Sequence, residues 1–141
     1  MRILIIEDEV IIAFHLEAAL LEDGHRVVGF ARDSRSAAVL AHDKHPDLAL
    51  VDVNLADGQT GPEIARHLTG MSILVVFMTA NVELLPDDFA GALGVIAKPI
   101  PEHVLRDAVH YAEARRRGER PDKPPRGLIV RRQPTVWRPG P

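Results

Sequence analysis

Four short apolar runs in this chain stop at residues that can handle a phosphoryl group. Leu48-Ala49-Leu50-Val51 ends in Asp52, and Ile3-Leu4-Ile5-Ile6 ends in Glu7-Asp8-Glu9. The run from Ile73 to Met78 ends in Thr79, and Val95-Ile96-Ala97 ends in Lys98-Pro99. Gathered at one place, these acids, the hydroxyl and the ammonium can hold a divalent cation and present a carboxylate nucleophile. Like charges about 4 Å apart repel by roughly 4 kcal/mol at an effective dielectric near 20. Glu7, Asp8 and Asp52 must therefore take up a proton or a cation if they meet. Oxygen-only ligands select Mg²⁺ or Mn²⁺ over zinc or copper. A carboxylate can then form an acyl phosphate, with Lys98 as a point charge and Thr79 as a hydroxyl donor toward the phosphoryl oxygens.

Taken singly, each residue has a plainer reading. Glu7-Asp8-Glu9 suits a helix start, Asp52 a turn or cap, Thr79 any strand, and Lys98-Pro99 a surface turn. The joint placement at four successive strand ends outweighs these readings, because coincidence would have to act four times.

The elements that must position these residues follow from the pattern. Ile12, Leu16, Ala19 and Leu20 form the stripe of an amphipathic helix over residues 10–23, ended by Asp23-Gly24 with Gly24 in a left-handed cap. Arg26 to Phe30 reads as a short strand, and Ser34 as the cap of a helix over about 35–45, closed by His45-Pro46. A loop from Ala56 to Gly61 leads into a helix with Pro62 in its first turn and its end near Thr69-Gly70. Pro86 falls where a helix interior is expected, so the fourth helix should be short, broken or mobile. Pro101 opens a last helix with Leu105, Ala108, Val109 and Ala112 on one face. Five β-α units with near-continuous apolar strands imply an α/β fold, a doubly wound parallel sheet of five strands. The usual flavodoxin-like order is 2-1-3-4-5, whose switch point lies between the strands carrying Asp8 and Asp52.

The chain has 141 residues, 46 % hydrophobic but only 4 % aromatic, so aliphatic side chains must fill the core. The absence of cysteine excludes disulfides and thiolate metal sites and fits a reducing compartment. No apolar run approaches the roughly 18 residues of a membrane span, and Met1–Ile6 is too short for a signal sequence. A soluble cytoplasmic protein is expected. Residues 115–141 hold nine Lys/Arg against two Asp/Glu, and six of the eleven prolines follow residue 120. The boundary is therefore set near Arg117-Gly118: a domain over 1–116 and a basic, Pro-rich tail over 117–141. The tail is too short for a DNA-binding output domain, which makes nucleic acid an unfavoured partner. Its apolar stretches, Leu128-Ile129-Val130 and Val136-Trp137, suit docking on the domain or addition to a neighbour's sheet edge. The seven histidines, His42/His45 and His103/His110 among them, form no persuasive ligand set.

The residues and their spacing resemble the receiver domain of two-component response regulators, over about residues 1–116. The resemblance implies Asp52 as phosphoacceptor, Asp8 and Asp52 as direct metal ligands, Glu7 as a ligand through water, and Asn54 as a ligand through its backbone carbonyl. It implies Thr79 and Lys98 as the hydroxyl and ammonium of the site, and a cis peptide at Lys98-Pro99. Phe77-Met78-Thr79-Ala80-Asn81 resembles the FAT GUY subgroup, which includes receivers of bacterial general stress pathways. Two positions depart from the common pattern: Val95 stands where an aromatic switch residue is usual, and Ala56 where a proline is. The coupling of threonine to that aromatic therefore cannot operate, and phosphorylation is expected to order residues 80–92 instead. The function implied is a single-domain response regulator phosphorylated by a sensor histidine kinase or phosphotransfer protein. It would act through protein contacts or as a phosphate sink, with a homodimer expected through the tail or through the fourth-helix, fifth-strand and last-helix face. It is a signalling domain rather than an enzyme. Two other classes compete: a small Mg²⁺-dependent aspartyl-phosphate phosphatase, for which Glu7-Asp8-Glu9 offers a poor nucleophile, and a basic-tailed nucleic-acid-associated regulator.

Overall fold

A computed structural model describes residues 1–131. Six strands form one sheet: β1 (Arg2–Ile6), β2 (Arg26–Ala31), β3 (Leu48–Asp52), β4 (Leu74–Thr79), β5 (Gly94–Ala97) and β6 (Leu128–Ile129). Their spatial order is β2-β1-β3-β4-β5-β6. The first five pair in parallel in the expected order, and β6 adds antiparallel to β5. Four helices cover the sheet: α1 (Val10–Glu22), α2 (Ser34–Lys44), α3 (Gly61–Gly70) and α4 (Glu102–Arg116).

Each strand feeds both layers, because successive side chains point to opposite faces. Leu4, Ile6, Ala49, Val51, Val75 and Phe77 pack with α2 and α3. Ile3, Ile5, Leu48, Leu50, Val76 and Met78 pack with α1 and α4. That double burial is why the strands read as continuous apolar runs. Ala13, Leu16 and Leu20 form the buried stripe of α1, while Ile11 and Phe14 on its other side are 72 % and 57 % exposed. Among the described residues no helix is long and apolar enough to cross a membrane.

One expectation is corrected, and two that were left broad take a definite form. The cap of α2 is Asp33, whose side chain accepts from Ser36 N–H at 2.8 Å, and Ser34 is already inside the helix. Between β4 and β5 there is no α-helix at all, only the 3₁₀ turns Val82–Leu84 and Phe89–Gly91 on either side of Pro86. Of the two fates expected for the tail, docking on the domain is the one seen, with Leu128-Ile129 adding to this chain's own sheet. Val136-Trp137 lies outside the described residues.

Candidate functional site

The register aligns the strand ends on one edge. Ile6 faces Val51, Asp52 faces Met78, and Thr79 faces Ala97, so Glu7, Asp52 and Lys98 emerge side by side. None of the acids at these strand ends caps a helix through its side chain. Glu9, at the N-cap of α1, makes no side-chain cap bond, and neither does Thr60 at the N-cap of α3. Asp52 is not a helix cap; its Oδ1 accepts from Asn54 N–H at 3.3 Å.

Carboxylate oxygens of Glu7, Asp8 and Asp52 lie within 4.8 Å of one another. The Lys98 ammonium joins two of these acids, donating to Glu7 Oε1 at 2.6 Å and Asp52 Oδ2 at 2.9 Å. Glu7 is 4 % exposed and Asp52 7 %, while Asp8 is half-buried at the mouth. Burial pushes the Glu7 carboxyl up and the neighbouring Asp52 adds to the rise; Lys98 pulls it back only in part, leaving it at about 8. Desolvation opposes the charge on Lys98, but hydrogen bonds to Glu7 and Asp52 outweigh it and hold the ammonium above its usual range. Glu7 Oε2 is buried without a hydrogen-bond partner. A buried, unpaired carboxylate oxygen costs on the order of 1–3 kcal/mol. Three carboxylates, one orphaned oxygen and no nitrogen or sulfur ligand fit a hard divalent cation.

Two of the expected groups make local hydrogen bonds. The Thr79 hydroxyl is spent locally: it accepts from Asn81 N–H at 3.0 Å and donates to Asn81 O at 3.3 Å. Asn54 meets Asp52 through its N–H. Lys98-Pro99 is cis, as the resemblance implied.

Two supporting residues escaped the sequence reading. A Cβ at Gly61 would lie 2.3 Å from the Asp52 carbonyl oxygen and 2.6 Å from Val53 Cα, so the start of α3 can press against the reactive strand end only because residue 61 has no side chain. Its N–H donates to Val53 O at 3.1 Å. Asp57 ties the intervening loop by accepting from the Thr60 hydroxyl at 2.6 Å and from Ser34 N–H at 3.2 Å. Asp57-Gly58 reads in sequence as a generic turn, and only the fold shows what it braces.

A parallel sheet of this order, with an acidic pocket and a lysine at its switch point, defines a flavodoxin-like α/β domain of the receiver type. Residues 3–110 match the response regulator receiver domain, and the chain belongs to that family of two-component systems. The phyllosphere-induced regulator PhyR of Methylorubrum extorquens is 37 % identical over 125 residues, 84 % of this chain and 47 % of PhyR. The two-component response regulator PhoP of Pseudomonas aeruginosa is 35 % identical over 107 residues, 70 % of this chain and 45 % of PhoP. The crystal structure of PhyR from Brucella abortus superposes with a TM-score of 0.69 at 30 % identity, covering 83 % of this chain and 51 % of that one. The anti-anti-sigma factor PhyR from Bartonella quintana does so with a TM-score of 0.65 at 31 % identity, covering 83 % and 50 %. The chain therefore spans about half the length of these relatives, and the likeness bears out the general-stress-response subgroup read from Phe77–Asn81.

Proposed function

We propose that the chain accepts a phosphoryl group on Asp52 from a sensor histidine kinase or a phosphotransfer protein, in the cytoplasm. The observation that carries this reading is the Lys98 ammonium joining Asp52 to Glu7 beside an unpartnered buried oxygen. Mg²⁺ or Mn²⁺ would be held by Asp8 and Asp52, by Glu7 through water, and by the Asn54 carbonyl. When bound, the cation neutralises carboxylate and phosphoryl oxygens together. One Asp52 oxygen attacks phosphorus, the bond from phosphorus to the donor breaks, and an acyl phosphate remains. Lys98 balances charge on a phosphoryl oxygen. Thr79 exchanges Asn81 O for another phosphoryl oxygen.

That exchange supplies the switch that Val95 cannot. Asn81 begins the segment of two 3₁₀ turns, in which Phe89, Ala90 and Gly91 have φ of 50°, 50° and 81°. Two successive non-glycine residues in the left-handed region store strain. The segment is pinned by Arg66, which holds both Asp88 carboxylate oxygens at 2.9 Å. A segment strained within, held by this ion pair and by the buried Leu85, Ala90 and Ala92, can reorder when Thr79 lets go of Asn81.

A donor protein has a surface to meet beside the pocket. A groove of about 710 Å³ between α1 and α4 is lined by Ile12, Leu16, Ala80, Pro99, Ile100 and Leu105. An exposed apolar patch of this kind marks protein contact. Output is by protein contact or by draining phosphate as a sink; likeness to a protein named an anti-anti-sigma factor supports the former.

The test is incubation with Mg²⁺ and acetyl phosphate, followed by intact mass. Wild type gains one phosphoryl group and Asp52→Asn gains none. An Asp52→Asn chain that is still labelled overturns the assignment.

A further inference from the structure

The outer edge of β5 carries a strand the chain supplies itself, and the seat is specific. Ile129 pairs with Val95 and Leu128 with Ile96, antiparallel. A Cβ at Gly94 would stand 2.7 Å from Ile129 O and 2.9 Å from Leu128 Cδ1, so the edge accepts the strand only because residue 94 is bare. The incoming segment has a matching requirement. Gly127, at φ 89°, occupies the third position of a turn closed by Leu128 N–H donating to Pro125 O at 3.2 Å. Positive φ there is the signature of a type II turn. A Cβ on Gly127 would also meet Val104 Cγ1 at 2.6 Å. Leu128 is 4 % exposed, within the cluster formed with α4, while Ile129 is 46 % exposed. The seat therefore reads a bare residue, then a buried aliphatic, then a residue held by backbone alone.

The attachment is also slight. Among the described residues only two pair, and a two-residue strand is marginal without its anchor side chain. It is tethered to α4 through residues 117–127, which include Pro121, Pro124 and Pro125. Such a tether raises the local concentration of the segment to the millimolar range and so favours the chain's own strand over a free one. An unfilled strand edge is a template for any extended polypeptide.

We propose that the β5 edge is a strand-acceptor site for a segment that turns at a glycine and then extends through a buried aliphatic and a residue held by its backbone, filled here by Gly127-Leu128-Ile129 and able to take the same chemistry from another protein. Because β5 runs directly into Lys98, occupancy of this edge bears on the strand that carries the pocket's lysine. The proposal does not depend on phosphorylation.

The test uses the full chain and a fluorescent peptide of sequence PPRGLIVR, residues 124–131. Leu128→Asp removes the chain's own anchor, and Gly127→Ala blocks its turn without adding charge. Both variants should lose amide-exchange protection at 128–129 while β4 stays protected, and both should bind the peptide at least tenfold tighter than wild type. Adding Gly94→Val to Leu128→Asp should abolish that binding, and the peptide carrying Asp at its leucine should not bind. Equal affinity for wild type and both variants overturns the proposal. So does no binding to variants whose 128–129 amides are released, or persistent protection of those amides in both variants. A wild-type dimer with exchanged strands would also overturn it, by making the occupant a second copy.

Discussion

Two clusters of titratable side chains on this domain span the same small distance and are built differently. Glu7, Asp8 and Asp52 gather three carboxylates, and Asp23, His25 and His110 gather one carboxylate and two imidazoles, each set within 4.8 Å. In the second cluster the partners account for one another. Asp23 Oδ2 lies 3.1 Å from His25 Nε2 and 2.7 Å from His110 Nε2, and the Met1 ammonium donates to His25 Nδ1 at 3.0 Å. It ties the end of α1 to the start of β2 and to α4. In the first cluster one lysine serves two acids and a buried oxygen goes without a partner. Proximity of ionisable groups therefore does not separate a reactive site from a brace; the separating feature is whether charge and hydrogen bonds close.

The comparison breaks most sharply on phosphoryl uptake. Asp52→Asn should abolish labelling by acetyl phosphate, while Asp23→Asn should leave its rate unchanged within about twofold; equal losses in the two variants would erase the distinction. Lys98→Ala should slow labelling on the order of 10²-fold, the usual penalty for removing a preorganised charge from the transition state, measured as the initial rate at saturating Mg²⁺.

The third contrast is in pH. The Glu7 carboxyl stands at about 8 in the fold against an ordinary 4.5. Between those values the folded state binds the extra proton, so cation-free stability falls as pH rises from about 4.5 to 8. Denaturant midpoints should show that slope, Glu7→Gln should flatten it, and Mg²⁺ should stabilise wild type by more at pH 8 than at pH 5. The brace has the opposite sign. Burial pushes Asp23 up, but hydrogen bonds from His110 and His25 outweigh it and hold the carboxyl below its usual range. Its contribution is present above the ordinary aspartate value and is lost as pH falls through the folded one. Asp23→Asn should destabilise by under about 1 kcal/mol at neutral pH, read from the same midpoints, with the difference vanishing in acid.

The sequence carried the parallel order, the convergence at the strand ends and the break at Pro86, because each rests on local signals: apolar runs, terminal residues, a missing N–H. What it hid depends on relations across the fold. Asp33 and Ser34 are both good caps, and the choice depended on which carboxylate faced Ser36 N–H. Thr79 has a partner two residues on in Asn81, which no apolar pattern signals. His25 sits one residue before β2 and looks like any turn histidine until α4 brings His110 alongside. Gly61 reads as a loop glycine until β3 is seen pressing on it.

One practical consequence follows from β6. The family match stops at residue 110, yet α4 runs on to Arg116 and Leu128 closes the core beside Ile96. A recombinant chain trimmed at the match would lose the last turns of that helix and leave an apolar slot and a naked strand edge in contact with solvent. Such a fragment should aggregate on concentration, and its behaviour would misrepresent the solubility of the parent.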